Sequence, residues 1–191
     1  MRNLGFLRQF VARPTSTGAI APSSAPLADL ITDAADLGHA SMIVEFGPGT
    51  GVFTEKILLK RPAHAGFIAI ELNEQFVAAT RRRCPTATVH HDSAVNVGTH
   101  LNALGVDGCD RIVCGLPWAS FPERLQDDLL EATLGALRPG GRIVTFAYLQ
   151  GLLMPPGLRF RRKLRQHFRR VTTTRTVWRN LPPAFVYIAE K

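Results

Sequence analysis

The chain has 191 residues, of which 46% are hydrophobic and 20% are charged, a composition that indicates a globular protein and excludes a disordered one. No apolar run approaches the roughly 20 residues that span a bilayer, and the three cysteines lack a metal-binding or redox spacing. The net charge of +8 is uneven, because residues 29–155 hold 10 Lys/Arg against 14 Asp/Glu, whereas residues 156–191 hold 10 against one. This asymmetry favours a polyanionic partner, either an anionic membrane surface or a nucleic acid.

Residues 2–13 predict a short amphipathic helix at the N-terminus. Leu4, Phe6 and Phe10 share one side at 100° per residue, and arginines lie mostly on the other side. A helix of this length is marginal in water and needs a surface to pack on. That surface is either the protein's own domain or a lipid interface, and the sequence leaves both open.

The central motif of the chain is a glycine-rich loop between an apolar segment and a helix-like segment. Apolar residues typical of a strand run up to Glu45, and residues 52–58 show a helix-like pattern. The loop between them consists of Gly47, Pro48, Gly49, Thr50 and Gly51. Glycines allow positive φ and close approach of a ligand, and the following helix offers free N–H groups to it. Thr54 stands where a dinucleotide fingerprint would have its third glycine.

Two acidic residues follow the next two predicted strands. The strand at residues 66–72 ends at Glu71, about 20 residues beyond the loop, where a carboxylate can accept both hydroxyls of a ribose. The strand at residues 87–91 is followed by Asp92 and Ser93. Asp92 is either a ligand-binding residue at this edge of the sheet or a plain helix cap.

The rest of the chain continues the alternation of strands and helices. Its segments are a helix at 27–37 capped by Ser23 or Ser24, a strand at 110–114, a helix at 123–137, a turn at 138–141, a strand at 142–148, an apolar loop at 151–157, a basic helix at 158–170, and two terminal strands at 172–178 and 184–189 that form an antiparallel pair. This order predicts an α/β fold with an open, mostly parallel, doubly wound sheet.

The sequence resembles the bacterial phospholipid N-methyltransferases, which methylate phosphatidylethanolamine or ornithine lipids. The resemblance rests on residues 18–24, 44–51, 115–117 and 178–187. It implies a single domain with the Rossmann-like, seven-strand class I fold of the enzymes that use S-adenosylmethionine (SAM), including an antiparallel C-terminal strand. Residues 1–38 would be an N-terminal helical cap that contacts the membrane, and residues 39–191 the catalytic core.

The same resemblance assigns roles to individual residues. Those implied to bind SAM, and its product S-adenosylhomocysteine, are Glu45, Gly47, Pro48, Gly49, Thr50, Gly51, Glu71, Leu72, Asp92 and Ser93. Those expected beside the reacting amine are Gly115, Leu116, Pro117 and Trp118, with Tyr187 as a candidate general base. Those expected to contact the lipid or the membrane are Phe6, Phe10, Arg159, Arg161 and Arg179. No metal is implied, and the protein is expected in the cytoplasm at the inner face of the membrane.

Two other functions remain alternatives at this stage. The rRNA adenine dimethyltransferases typically read Asn-Leu-Pro-Tyr where this chain has Gly115, Leu116, Pro117 and Trp118. The amine of adenine is conjugated with its ring and needs a side-chain amide to accept its hydrogens, which Gly115 does not offer. An aliphatic amine needs only to lose a proton, since its pKa is about 10. An RNA methyltransferase and an inactive SAM-binding protein are the alternatives.

Overall fold

The computed structural model describes residues 23–191, which form a seven-stranded sheet and six α-helices. In chain order the elements are α1 (Ala25–Ala35), β1 (Met42–Phe46), α2 (Val52–Lys60), β2 (Gly66–Glu71), α3 (Glu74–Arg83), β3 (Val89–His91), α4 (Val97–Ala103), β4 (Cys109–Cys114), α5 (Glu123–Ala136), β5 (Leu137–Tyr148), α6 (Pro155–His167), β6 (Arg170–Thr173) and β7 (Ala184–Glu190). Short 3₁₀ segments lie at Leu37–His39, Ala94–Asn96, Trp118–Ser120 and Leu149–Leu153. The predicted N-terminal helix, with Phe6 and Phe10, lies outside the described residues.

The strands lie in the order β3-β2-β1-β4-β5-β7-β6. Strands β1 to β5 pair in parallel, and β7 runs antiparallel to both β5 and β6. All five residues of β1 are buried, as expected of a central strand that is covered on both faces. The predicted fold class and the antiparallel terminal pair are therefore confirmed.

Helices cover both faces of the sheet and create two separate apolar cores. On one face, residues of α1, α2 and α3 such as Ile31, Ile57 and Val77 pack on the strands. On the other face, residues of α5 and α6 such as Leu129 and Phe160 do so. Since the chain winds outwards from β1 to β3 and then returns to β4, the winding reverses between β1 and β4. Ligands of open α/β sheets bind in the crevice at such a point, at the carboxyl ends of the strands.

The element bounds agree with the sequence except around β5, α6 and β6. The strand predicted at 172–178 is β6 at Arg170–Thr173, and the helix predicted at 158–170 ends at His167. Ser24 caps α1, as predicted, by accepting a hydrogen bond from the Leu27 amide. The predicted turn at 138–141 belongs to β5, which already begins at Leu137. The predicted loop at 151–157 is wrong in its second half, because α6 begins at Pro155, where a proline suits the first turn of a helix. Within residues 23–191, no helix is long and apolar enough to cross a bilayer.

An exposed glycine in α5 allows a prediction about stability. Gly135 lies in α5, and a Cβ atom added there would meet nothing within 4 Å. We expect Gly135→Ala to raise the free energy of unfolding by about 0.5 kcal/mol, because alanine loses less backbone entropy in a helix. Urea unfolding of the variant and the wild type measures this difference. A destabilised variant would mean that the end of α5 needs the freedom of glycine.

Candidate functional site

A cavity of about 630 Å³ opens at the carboxyl edge of the sheet. Residues that follow or end β1, β2, β3, β4 and β5 contribute to its wall. It therefore occupies the crevice that the reversal of winding between β1 and β4 creates. The wall has two chemically different halves, a polar half around the glycine loop and an aromatic half beyond Gly115.

The glycine loop adopts a conformation that only glycines favour. Gly47, Gly49 and Gly51 all have positive φ, at 66°, 58° and 81°. The Gly47 amide donates to the carbonyl of Ile70 at 2.9 Å, which ties the loop to the end of β2. A Cβ atom at Gly47 would lie 2.6 Å from Cδ2 of Leu116, so the loop packs directly against the residues after β4.

The loop after β4 begins at Gly115, and this residue is the second point at which that loop touches the glycine loop. Its amide donates to the carbonyl of Phe46 at 2.8 Å. A Cβ atom at Gly115 would lie 2.5 Å from the backbone oxygen of Gly47, closer than real Cβ atoms come. The position is therefore reserved for glycine by packing, in addition to the chemistry that the sequence suggested.

Glu71 joins the glycine loop to the end of β2. The side chain is buried, and its Oε2 accepts from the Gly49 amide at 3.1 Å while Oε1 accepts from the Asn73 amide at 2.9 Å. Burial raises the pKa of Glu71 above its ordinary value, although backbone hydrogen bonds from Asn73, Gly49 and Leu72 oppose this. A carboxylate has about four acceptor positions, so these amides leave room for a ligand such as a ribose.

Asp92 and Ser93 form the edge of the polar half after β3. The Oδ1 atom of Asp92 accepts from the Ser93 amide and from Nδ2 of Asn96, at 2.7 and 2.8 Å, and Oδ2 lies 2.9 Å from Nε2 of His100. Burial alone would raise the pKa of Asp92, but the hydrogen bonds from Asn96, Ser93 and His100 outweigh it and lower that pKa. Asp92 is thus an ionised acceptor on the cavity wall, and Ser93 caps the 3₁₀ segment through the Val95 amide.

Glu45 lies beneath the glycine loop and does not form part of the cavity wall. It is fully buried, and its Oε2 accepts a hydrogen bond from the Thr54 hydroxyl at 2.7 Å. Its Oε1 has no hydrogen-bond partner among the described residues. Burial, only partly offset by Thr54, raises the pKa of Glu45 to about 8, and the charge of Glu71 adds to this shift. The orphaned oxygen leaves Glu45 one unused acceptor position beneath this loop.

The raised pKa of Glu45 predicts how stability depends on pH. The unfolded carboxyl loses its proton near 4.5 and the folded one near 8, so the folded state binds the extra proton between these values. The stability that the protonated Glu45 carboxyl contributes is fully present below about pH 4.5 and is lost as the pH rises through about 8. We therefore compare the free energy of unfolding of the wild type with that of Glu45→Gln, which cannot ionise. From about pH 5 to about pH 9 the difference should change by a few kcal/mol in favour of the variant. Denaturant unfolding at both pH values tests this, and parallel pH curves would contradict it.

The second half of the cavity is an aromatic chamber formed by Trp118, Phe160 and Tyr187, on the face of the sheet that α5 and α6 cover. Phe146 and Tyr148 also line the cavity, but they pack with the core on the opposite face, beneath α1 and α2. The indole of Trp118 stacks on the ring of Phe160 with centroids 4.8 Å apart, and Phe160 meets Tyr187 edge-on at 6.1 Å. The rings of Phe146 and Tyr148 form a second edge-on pair at 5.5 Å. The faces and edges of these rings offer apolar area and favourable contacts for a cation.

The chamber holds no ionised base among the described residues of its wall. Burial raises the pKa of the Tyr187 phenol, although the charges of Arg161 and Arg165 oppose this. Its phenol is therefore neutral near pH 7, which does not favour the role of a general base. The acidic residues of the described wall, Glu71 and Asp92, both lie in the polar half.

Most of the residues singled out from the sequence lie together around this cavity. Those in its wall are Gly47, Pro48, Gly49, Thr50, Glu71, Leu72, Asp92, Ser93, Gly115, Leu116, Pro117, Trp118 and Tyr187. Those outside the wall are Glu45, Gly51, Arg159, Arg161 and Arg179. Gly51 instead precedes the first turn of α2, and Arg159 and Arg179 are exposed to solvent.

Sequence reasoning missed several wall residues. Phe76 in α3, Phe146 at the end of β5 and Phe160 in α6 all contribute to the cavity. The position of Phe146 at the carboxyl end of a strand was a usable signal. Phe160 belongs to an apolar stripe with Leu164, and nothing in that pattern separates a cavity wall from a core.

The comparison with known proteins finds a curated relative along nearly the whole chain. The ornithine lipid N-methyltransferase of Singulisphaera acidiphila is 30% identical over 185 residues, which cover 95% of this chain and 92% of that protein. No protein-family model matches the chain.

Solved structures with a similar fold are class I SAM-dependent methyltransferases. The O-methyltransferase TomG of Streptomyces achromogenes, in complex with SAM, has a TM-score of 0.68 at 19% identity and covers 100% of this chain and 91% of its own. The O-methyltransferase of Bacillus cereus, in complex with S-adenosylhomocysteine, has a TM-score of 0.67 at 16% identity with the same coverage. The N-methyltransferase NodS of Bradyrhizobium japonicum has a TM-score of 0.63 at 13% identity over 87% of this chain and 94% of its own. At these identities the likeness establishes the fold.

Proposed function

Because the chain belongs to the ornithine lipid N-methyltransferase family of class I SAM-dependent methyltransferases, we propose that it methylates the headgroup amine of a membrane lipid. It is an enzyme of the SAM-dependent methyltransferase class, and SAM is its cofactor. The acceptor is an ornithine lipid or a phospholipid of the phosphatidylethanolamine type.

The polar half of the cavity fits SAM. Glu71 has acceptor capacity for ribose hydroxyls, Asp92 and Ser93 of the cavity wall would bind the adenine, and the glycine loop admits close approach. The orphaned Oε1 of Glu45 beneath the loop suits a nearby amino group. When bound, SAM would supply an electrophilic methyl group, and these residues would hold it in the polar half of the cavity.

The aromatic chamber is the observation that carries the choice of acceptor. Its described wall offers Trp118, Phe160 and Tyr187 beside Gly115, without a carboxylate and without a side-chain amide at position 115. Positive charge passes to the amine nitrogen during methyl transfer, and aromatic rings stabilise it there. A chamber of this kind suits an aliphatic amine better than the amine of adenine.

Proton loss from the amine is favoured by the apolar surroundings. An alkylammonium has a pKa of about 10 in water, and burial in an apolar site lowers it because the charged form is desolvated. The chamber therefore favours the neutral, nucleophilic amine without an ionised side chain. The main task of the protein is then to align the amine with the methyl group and to exclude water.

Arginines next to the chamber suit the anionic part of the headgroup. Arg161 and Arg165 lie close enough to Tyr187 to influence its ionisation, and neither forms an ion pair with another residue in the range 23–191. Guanidinium groups bind phosphate and carboxylate oxygens with good geometry. A phospholipid carries the former, and the ornithine headgroup the latter. Arg159 and Arg179 would add charge further out.

The proposed acceptor also sets where the enzyme works. A headgroup amine lies at the membrane surface, so the protein would act as a peripheral protein at the cytoplasmic face of an anionic membrane. The sequence-predicted helix at residues 2–13, with Phe6 and Phe10, is one device for this contact.

A direct transfer assay tests the proposal. Purified protein with methyl-labelled SAM is given detergent-dispersed ornithine lipid, phosphatidylethanolamine or an rRNA fragment in separate reactions. We expect label in one or both lipids and none in the RNA. Label confined to the RNA, or transfer to neither lipid, would contradict the proposal.

A further inference from the structure

Large apolar side chains that are exposed to solvent are concentrated around the mouth of the cavity. Within residues 23–191, five of the seven such residues lie in the two segments 149–162 and 174–183, which we call the collar. These five are Leu153, Met154, Leu158, Trp178 and Leu181. Leu153 and Leu181 are each 87% exposed and Trp178 is 72% exposed, which is costly for a surface that faces only water.

Both segments of the collar border the cavity directly. Gln150, Leu152 and Met154 from the first segment and Pro182 from the second are part of its wall. The Leu149 amide donates to the carbonyl of Pro183 at 2.9 Å, which joins the two segments. Since both segments lie at the carboxyl edge of the sheet, the collar and the aromatic chamber share one opening.

The charge of the collar is positive and uncompensated. Its two segments contain Arg159, Arg161, Arg162, Arg175 and Arg179 and no acidic residue. None of these arginines forms an ion pair with another residue in the described part of the chain. Lys163, one residue beyond the first segment, differs in that it pairs with Glu123 and Asp127 of α5.

We propose that the collar inserts its apolar side chains into the headgroup layer of an anionic bilayer and opens the aromatic chamber towards the lipid. This inference rests on the proposed lipid substrate and adds the surface through which the protein reaches it. Exposed aliphatic and aromatic residues next to unpaired arginines are the pattern that binds a lipid interface. The lipid then enters the chamber sideways, without leaving the membrane.

The chemistry of the collar favours a bilayer over RNA as its partner. Four of the five exposed residues are aliphatic, and aliphatic side chains gain little from stacking on bases. Proteins that bind single-stranded RNA instead expose aromatic platforms among their cations. Trp178 alone would serve that purpose here.

The two tryptophans make the collar directly observable in the full-length protein. Trp118 is buried, whereas Trp178 is exposed, so a change in emission on binding reports on the collar. Vesicles of equal parts phosphatidylglycerol and phosphatidylcholine are added to the protein. We expect the emission to shift to shorter wavelength and Trp178 to become protected from an aqueous quencher. Pelleting with vesicles without such a shift, or a shift with RNA but not with vesicles, would overturn the proposal.

Replacing exposed leucines by glutamate tests the same surface independently of tryptophan. Leu153→Glu combined with Leu181→Glu should weaken vesicle binding at least tenfold and lower methylation of vesicle lipid accordingly. The matched control is Leu59→Glu combined with Leu104→Glu, because these two exposed leucines lie at the C-terminal ends of α2 and α4, at the opposite edge of the sheet. The control should bind vesicles like the wild type. Equal vesicle binding by the collar variant would overturn the proposal.

Detergent-dispersed lipid separates this inference from the proposed function. The collar variant should methylate dispersed lipid like the wild type, since its chamber is unchanged. If the wild type itself methylates neither lipid in that form, the proposed function fails. The vesicle and emission measurements still decide whether the collar binds a membrane in that case.

Discussion

Glu71→Ala should weaken SAM binding by roughly ten- to hundredfold. The variant leaves the Gly49 and Asn73 amides without their acceptor and removes the positions proposed for the ribose hydroxyls. A hydrogen bond to a charged group contributes about 1.5–3 kcal/mol, and about 1.4 kcal/mol corresponds to a factor of ten in affinity. Titration calorimetry on the folded variant measures the change.

Two further variants show whether the effect belongs to the carboxylate. Glu71→Gln keeps one acceptor oxygen and should give an intermediate affinity. Glu55→Ala removes an exposed glutamate whose role is a surface ion pair with Arg83, and it should bind SAM like the wild type. If Glu71→Ala retains full affinity, Glu71 does not bind the cofactor and only holds the loop.

The polar half of the site was predictable from the sequence because it depends on short-range patterns. A glycine loop after a buried strand, and acids at the ends of the next two strands, must meet at one edge of a parallel sheet. The positions of Gly47, Glu71 and Asp92 in the cavity wall agree with this reasoning. Glu45 and Gly51 depart from it. The side chain of Glu45 points beneath the loop towards Thr54 instead of into the cavity, and Gly51 precedes α2 outside the wall.

The aromatic half of the site was predictable only in part. The resemblance led to Trp118 and Tyr187, but Phe160, which stacks on Trp118 and meets Tyr187 edge-on, was missed because α6 brings it there from a distant part of the chain. The apolar period of α6 fixes which side of the helix is buried, but it does not say whether a cavity lies there. Of the collar, the sequence analysis named only Arg159, Arg161 and Arg179. The exposed apolar residues of the collar were missed, since single exposed leucines are ordinary and only their clustering around the cavity mouth has meaning.

The contact between the two loops changes what a substitution at Gly115 should do. From the sequence alone, an asparagine there would be expected to disturb only the amine and to leave SAM binding intact. The structure adds that any Cβ atom at this position would meet the backbone oxygen of Gly47 at 2.5 Å. Because backbone cannot rotate away as a flexible side chain can, the glycine loop itself must shift.

Gly115→Ala should therefore abolish most methyl transfer, with a loss of at least a hundredfold, although it adds only one methyl group. A displacement of about 1 Å at a reacting centre is enough for a loss of this size. SAM affinity should fall as well, because Gly47 belongs to the loop that binds the cofactor. The measurements are labelled-methyl transfer to dispersed lipid and calorimetric SAM binding, with Gly135→Ala as the matched control in open space. A Gly115→Ala variant that keeps normal SAM affinity and normal transfer would show that the contact between the loops does not position the reaction.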